Sequence, residues 1–178
     1  FCVNSIAHIF GTQPYDDTNT SRDSWWVAFL TFGEGYHNFH HIFQADYRNG
    51  IKWYHFDPTK WLIKTFSILR LATKLKKTPQ HSIDIALLDM KIKKNTQILE
   101  KNSVDTTPYV EKMKSTRDDL RSAMFSLHKA TNEMKQGTSK NSEELSARII
   151  QLKQNVVDGE TEIYAIFKDI SNAKPNSA

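Results

Sequence analysis

Cys2 is the chain's one cysteine, which excludes an internal disulfide framework and fits a reducing compartment. No run of about 18 apolar residues occurs, so no segment crosses a bilayer by itself, and no signal-peptide pattern is present. Nor does an excess of either charge survive division. Residues 1–77 hold nine Lys/Arg against six Asp/Glu, a net of +3, and residues 78–178 hold fifteen against fourteen, a net of +1. In the second part the two signs are interspersed, which reads as a solvated surface and not as a phosphate-tracking patch, so nucleic acid is not an expected partner. That part also lacks tryptophan, since Trp25, Trp26, Trp53 and Trp61 all lie in the first, and has only Tyr109, Phe125, Tyr164 and Phe167 as aromatics. With 39% hydrophobic residues overall, two regions of different physics are expected, not one large core.

Histidine is what the first region concentrates. The stretch GEGYHNFHH places His37, His40 and His41 within five positions, out of seven histidines in the chain. On a helix, steps of three and four bring side chains to one face, so the three imidazoles can point into a common space. Imidazole is the commonest nitrogen ligand for zinc, copper, iron and nickel, which makes this a metal-site pattern. His40 and His41 are adjacent and diverge, so one small ion suits the His37/His41 or His37/His40 pair better than all three, and two metals side by side are suggested. Upstream, Asn4 and His8 are four apart and stack on one helical face. Four imidazoles could fill a zinc tetrahedron, but such a site rarely commits two consecutive histidines, and no His-Glu-x-x-His signature is present. His55, His81 and His128 are expected in packing or surface roles.

Along the chain, a helix through Asn4 and His8 is expected to stop at Gly11 and Pro14. Residues 12–23 read as a loop by their Pro, Asp, Asn and Ser content, and Asn19-Thr20-Ser21 is a glycosylation sequon by pattern only. Ser24 is a candidate N-cap for a helix that Gly33 and Gly35 interrupt before the histidine cluster. Asn49-Gly50 and Asp57-Pro58 signal turns. From Thr59 a basic amphipathic helix sets Trp61, Leu62, Phe66, Leu69 and Leu75 against Lys60, Lys64, Arg70, Lys74, Lys76 and Lys77, a pattern that suits a membrane surface. Beyond Pro79 come long amphipathic helices: a first with Ile85, Leu88, Ile92 and Leu99, a second opened by Thr107 as N-cap and Pro108, and a third after GTSKN with Asn141 and Glu144 as a capping box. The second and third carry heptad stripes and predict an antiparallel coiled-coil hairpin over 107–173.

NSIAHIFGTQPYD, FGEGYHNFHHIF, DYRNG and WYHFDPTKW together resemble the C-terminal part of the membrane acyl-CoA desaturases, the stearoyl-CoA delta-9 type in its bacterial form, over residues 1–77. The resemblance implies an all-α protein: the end of the last membrane helix, a third histidine box and an interfacial helix in 1–77, followed by a cytosolic helical tail in 78–178. It implies a di-iron centre with His8, His37, His40 and His41 as ligands and Asn4 reaching a metal through water. The implied reaction puts a cis double bond into a saturated acyl-CoA with O2 and two electrons from a ferredoxin-, rubredoxin- or cytochrome b5-like donor. The implied location is a multi-pass membrane protein with its active site and tail on the cytosolic side. Two earlier histidine boxes of the family are absent, and the chain starts at Phe1 inside an apolar stretch. It therefore reads as a fragment of a longer enzyme, inactive alone. Related membrane di-iron proteins hydroxylate acyl chains or alkanes, which the boxes do not distinguish, and the tail alone reads as an oligomerisation or partner-binding module.

Overall fold

The computed structural model describes residues 2–101, 107–137 and 142–172, and the regular elements among them are all α-helices. Two compact units emerge, Phe1–Met90 and Lys91–Ala178. The expected capping residue Asn141 and the helix end near Asn102-Ser103 lie outside the described residues, as does the side chain of Leu99.

The first unit contains α1 (Cys2–Ile9), α2 (Trp25–Leu30), α3 (His37–Ile42), α4 (Pro58–Ile68) and the start of α5 (Gln80–Lys101). The first four are short, and backbone bridges between loops hold them together. Thr12 and Asp23 exchange both backbone hydrogen bonds, at 2.9 and 2.7 Å, the Ser24 N–H donates to the Gly35 carbonyl at 2.8 Å, and the Arg22 N–H donates to the Ala7 carbonyl at 2.9 Å. Glycine makes two of these approaches possible. Gly11 sits at φ 124°, where a Cβ would run into the Asp23 carbonyl, and a Cβ on Gly35 would run into the backbone nitrogen of Ala28.

α4 differs from its sequence expectation in two ways. It ends at Ile68, because Arg70 adopts φ 61° and the Leu71 N–H turns back to the Phe66 carbonyl at 2.8 Å, a Schellman-type stop without glycine. The interfacial helix is therefore shorter than the stretch from Thr59 to Lys77. Nor does Lys60 belong to a solvated basic face. It is buried, and its Nζ donates to the carbonyls of Gly50, Lys52 and His55 at 2.8, 2.9 and 3.2 Å. Beside it Asp57, fully buried, caps α4 through Oδ1 and the Lys60 N–H at 2.9 Å, while Oδ2 accepts the N–H groups of Asn49 and Gly50 at 2.8 and 2.9 Å. Asp57-Pro58 thus starts a helix and closes the preceding turn in one step. In α5 the deeply buried residues are Ile83 and Met90, whereas Ile85, Leu88 and Ile92 are only half-buried, so the inward face is rotated from the expected stripe.

The second unit is built on α6 (Thr107–Gln136) and α7 (Ser142–Asn172). Thr107 is itself the first helical residue, one position earlier than a cap there would allow. The helices run antiparallel: Lys112 pairs with Glu162 at 3.5 Å, Leu120 lies against Gly159, and Ala130 clusters with Leu145 and Ile149. Met113, Leu120 and Met124 on α6 and Leu145, Ile149, Ile163, Ile166 and Ile170 on α7 are buried, spaced by threes, fours and multiples of seven as a heptad seam is. Met134 is exposed, and Thr116 is buried beside the stripe.

Candidate metal centre

His8 lies in the last turn of α1, His37 opens α3 and His41 follows one turn later. Their Nε2 atoms converge, with His8 to His37 at 3.1 Å and His41 to His37 at 3.0 Å. The rings stand nearly perpendicular, at 77–79°, with centroids 4.4 to 5.5 Å apart. One ligand atom from each lies within 4.8 Å of the other two, so this trio could hold a metal ion. Metal–nitrogen bonds of about 2.0–2.2 Å separate neighbouring ligand nitrogens by about 2.8–3.6 Å, for right-angled or tetrahedral geometry, so both spacings from His37 fit ligands of one ion. His40 stays apart, exposed, with its ring 6.0 Å from that of His41 and 6.2 Å from that of His37. Asn4 is exposed on α1 one turn before His8.

The electrostatics suit ligation. Burial, then the neighbouring His41, His8 and His40, push His37 down to about 4, and burial with His8 and His40 lowers His41. Both rings are therefore neutral near pH 7, with lone pairs available to a metal.

Hydrogen bonds that the sequence did not announce position these histidines. Asp23 Oδ1 accepts the N–H groups of Asn38 and Phe39 at 2.8 and 3.1 Å, capping α3 from fifteen residues upstream. Burial lifts the Asp23 carboxyl to about 6, against the lowering by those two N–H groups. The side chain of Asn38, fully buried, accepts the Tyr15 N–H at 3.0 Å and donates to the Asp16 and Ser21 carbonyls at 2.7 and 3.2 Å. Thr20 Oγ1 lies 2.7 Å from His8 Nδ1. Residues 12–23 thus form a strap fastened to α1 and α3.

His55 is not part of the cluster. It stacks on Tyr36 at 4.5 Å and 8°, its Nδ1 is buried without a hydrogen bond, and burial with Lys60 and Lys52 lowers it to about 4. It lines a pocket of about 260 Å³ with Trp25, Phe29, Tyr36, Tyr54 and Phe56.

The segment that carries these features is similar to known proteins. Residues 1–70, which contain His8, His37, His40 and His41, match the family model described as Fatty acid desaturase. Among similar curated proteins, Acyl-CoA desaturase 1 of Saccharomyces cerevisiae is 57% identical over 94 residues, 53% of this chain and 18% of the yeast protein. The Probable acyl-CoA desaturase of Schizosaccharomyces pombe is 48% identical over 93 residues, 52% of this chain and 19% of that protein. The sn-1 stearoyl-lipid 9-desaturase of Synechocystis is 46% identical over 78 residues, 44% of this chain and 24% of that protein. The chain spans less than a fifth of the length of the two yeast relatives. The likeness extends to fungal proteins and so is not confined to the bacterial form. Residues 71–178 lie outside the family match.

Proposed function

We propose that this chain supplies the third histidine box of an acyl-CoA desaturase, an oxidoreductase that forms a cis double bond, at delta-9, in a saturated acyl thioester. The observation that carries this reading is the convergence of the His8, His37 and His41 Nε2 atoms from two separate stretches, within a segment that matches the desaturase family. His8, His37 and His41 would hold one iron, while His40, whose ring stands 6.0 Å or more from those of His37 and His41, and Asn4, through water, would serve a second. Bound iron would supply the oxidising power to remove one hydrogen from each of two adjacent methylenes, with O2, two electrons and two protons leaving as two waters. The chain's own part is to present neutral nitrogens on a fixed frame: Asp23 caps the helix that carries His37 and His41, and Asn38 ties that helix to the strap. Neutral ligands leave the metal charge uncompensated, which favours an electron-accepting centre. The substrate is acyl-CoA, the electron donor a ferredoxin-, rubredoxin- or cytochrome b5-like protein, and the location a membrane with the centre and tail on its cytosolic side. No helix among the described residues is long and apolar enough to cross a membrane. α4 instead exposes Trp61, Leu62 and Phe66, as a helix lying on a bilayer surface does.

The test is metal and product analysis of an enzyme containing this segment. Iron at two equivalents and a monounsaturated acyl product are expected. Zinc without iron, or a hydroxylated product, would overturn the desaturase reading, the latter in favour of a membrane di-iron hydroxylase.

For the tail we read a structural role in self-association. Ile150, Val157 and Tyr164 recur every seven residues on α7 and are 68%, 52% and 61% exposed, outside the buried α6–α7 seam. Sedimentation of the chain should show a dimer or higher species that dissociates when Ile150 and Val157 are both changed to Lys; a monomer would end this reading.

A further inference from the structure

Of His8, His37, His40 and His41, His8 alone reaches the cluster from outside α3, and its orientation decides whether the trio forms. Its Nε2 faces His37 Nε2 at 3.1 Å and its Nδ1 faces Thr20 Oγ1 at 2.7 Å. A neutral imidazole carries one proton, on one nitrogen or the other, and only the unprotonated nitrogen can ligate. Which nitrogen is free depends on the partner of the opposite one.

We propose that Thr20 is a positioning residue for the metal centre: its hydroxyl oxygen accepts the Nδ1–H of His8 and so holds the ring in the tautomer whose Nε2 lone pair faces His37 and His41. This rests on the metal reading above. A hydroxyl can serve as acceptor here because its own proton is free to turn to solvent, Thr20 being exposed.

The hydroxyl is also placed with some rigidity, which a lone surface threonine would lack. Thr20 sits between two anchored residues. Asn19 gives its carbonyl to the Gln13 side chain and its Oδ1 to the N–H and hydroxyl of Ser21, the N–H at 2.9 Å. Ser21, fully buried, gives its carbonyl to Asn38 on α3 at 3.2 Å. The next residue, Arg22, donates its N–H to Ala7, the neighbour of His8, at 2.9 Å, and its carbonyl accepts the His37 N–H at 3.3 Å. The strap therefore holds Thr20 in register with His8 on one side and His37 on the other. It sets the rotation of the one ligand that α3 does not carry.

The experiment compares the wild-type chain with Thr20→Val, which keeps the shape and removes the acceptor, and Thr20→Ser, which restores it. Nitrogen-15 NMR of histidine-labelled, metal-free protein, with His8 assigned by its loss in His8→Asn, reads the tautomer directly. The wild type and Thr20→Ser should carry the His8 proton on Nδ1, and Thr20→Val should move it to Nε2. Cobalt(II) titration should then show affinity about 10-fold or more weaker in Thr20→Val, with Thr20→Ser close to wild type. A Thr20→Val protein with an unchanged tautomer, or with unchanged cobalt affinity, would overturn the proposal. A wild-type chain that takes up no cobalt would instead overturn the metal reading, and the NMR spectrum, recorded without metal, would still decide the Thr20 bond.

Discussion

Asp23 Oδ1 accepts the backbone N–H of Asn38 at 2.8 Å, so the helix that begins at His37 is capped by a residue from the preceding strap. A six-residue helix is far below the length that is stable alone. The carboxylate serves two orphan donors at once, those of Asn38 and Phe39. Asp23→Ala should lower unfolding stability by about 1–3 kcal/mol and weaken cobalt binding by the trio. Urea denaturation and cobalt titration of the same preparation check both, and unchanged values would remove Asp23 from the frame.

The clustered histidines should not respond alike to truncation. His37→Ala should weaken binding of the first cobalt ion by more than the 10- to 100-fold typical of losing an outer partner. His40→Ala should leave that first step nearly unaltered, because its ring lies outside the convergent trio. Equal losses in isothermal titration would contradict this division.

Lys60 gives a stability prediction unrelated to metal. Its Nζ satisfies three backbone carbonyls in a buried position, and Lys60→Met would leave them without that donor. A loss of about 2–4 kcal/mol is expected, against less than about 0.5 kcal/mol for Lys64→Met on the exposed side of the same helix. Thermal melts of the two variants measure the difference.

Acid sensitivity should follow from the lowered histidines. His37 and His55 titrate at about 4 in the folded chain against 6.5 when free. The unfolded chain therefore binds more protons between these values, and stability falls as pH drops from 6.5 towards 4. Asp23 works in the opposite sense, since its raised value of about 6 makes the folded chain bind more protons above 3.8, so that stability falls as pH rises from 3.8 to 6. Two histidines outweigh one carboxyl, and the net trend is loss in acid. His55→Phe should preserve the stack on Tyr36 and flatten the slope of urea midpoint against pH, whereas an unchanged slope would exclude His55 as a contributor.

Gly159 is a position to improve. A Cβ there would lie 3.2 Å from Leu120 Cδ1, the end of a flexible side chain that can shift by the small amount needed. Gly159→Ala should raise the stability of the α6–α7 pair by up to about 1 kcal/mol. Circular dichroism melting would show a higher midpoint, and a lower one would mean that Leu120 cannot move.

What the sequence reveals of this protein follows the range of the interactions. His37 and His41 are legible because helical spacing alone puts them on one face, and the heptads of α6 and α7 are legible for the same reason. Thr20, Asp23 and Asn38 are not, since each acts across twelve to twenty-three residues and has no periodicity. Lys60 was misplaced by its own pattern: on a helical wheel it joins the basic face, and only the folded turn of residues 50–55 supplies the carbonyls that draw it inward. Arg70 ends α4 where neither Gly nor Pro announced a stop.

The reciprocal bonds between Thr12 and Asp23 have a thermodynamic consequence for whatever the histidines bind. They tie α1 to the residue that caps α3, so His8 cannot drift from His37 and His41 without breaking backbone pairing. The conformational entropy of gathering the three rings is thus lost when the chain folds, not when an ion arrives. Affinity at such a preorganised centre should depend on the integrity of the strap as much as on the imidazoles, and loosening residues 12–23 should weaken capture while leaving every ligand in place.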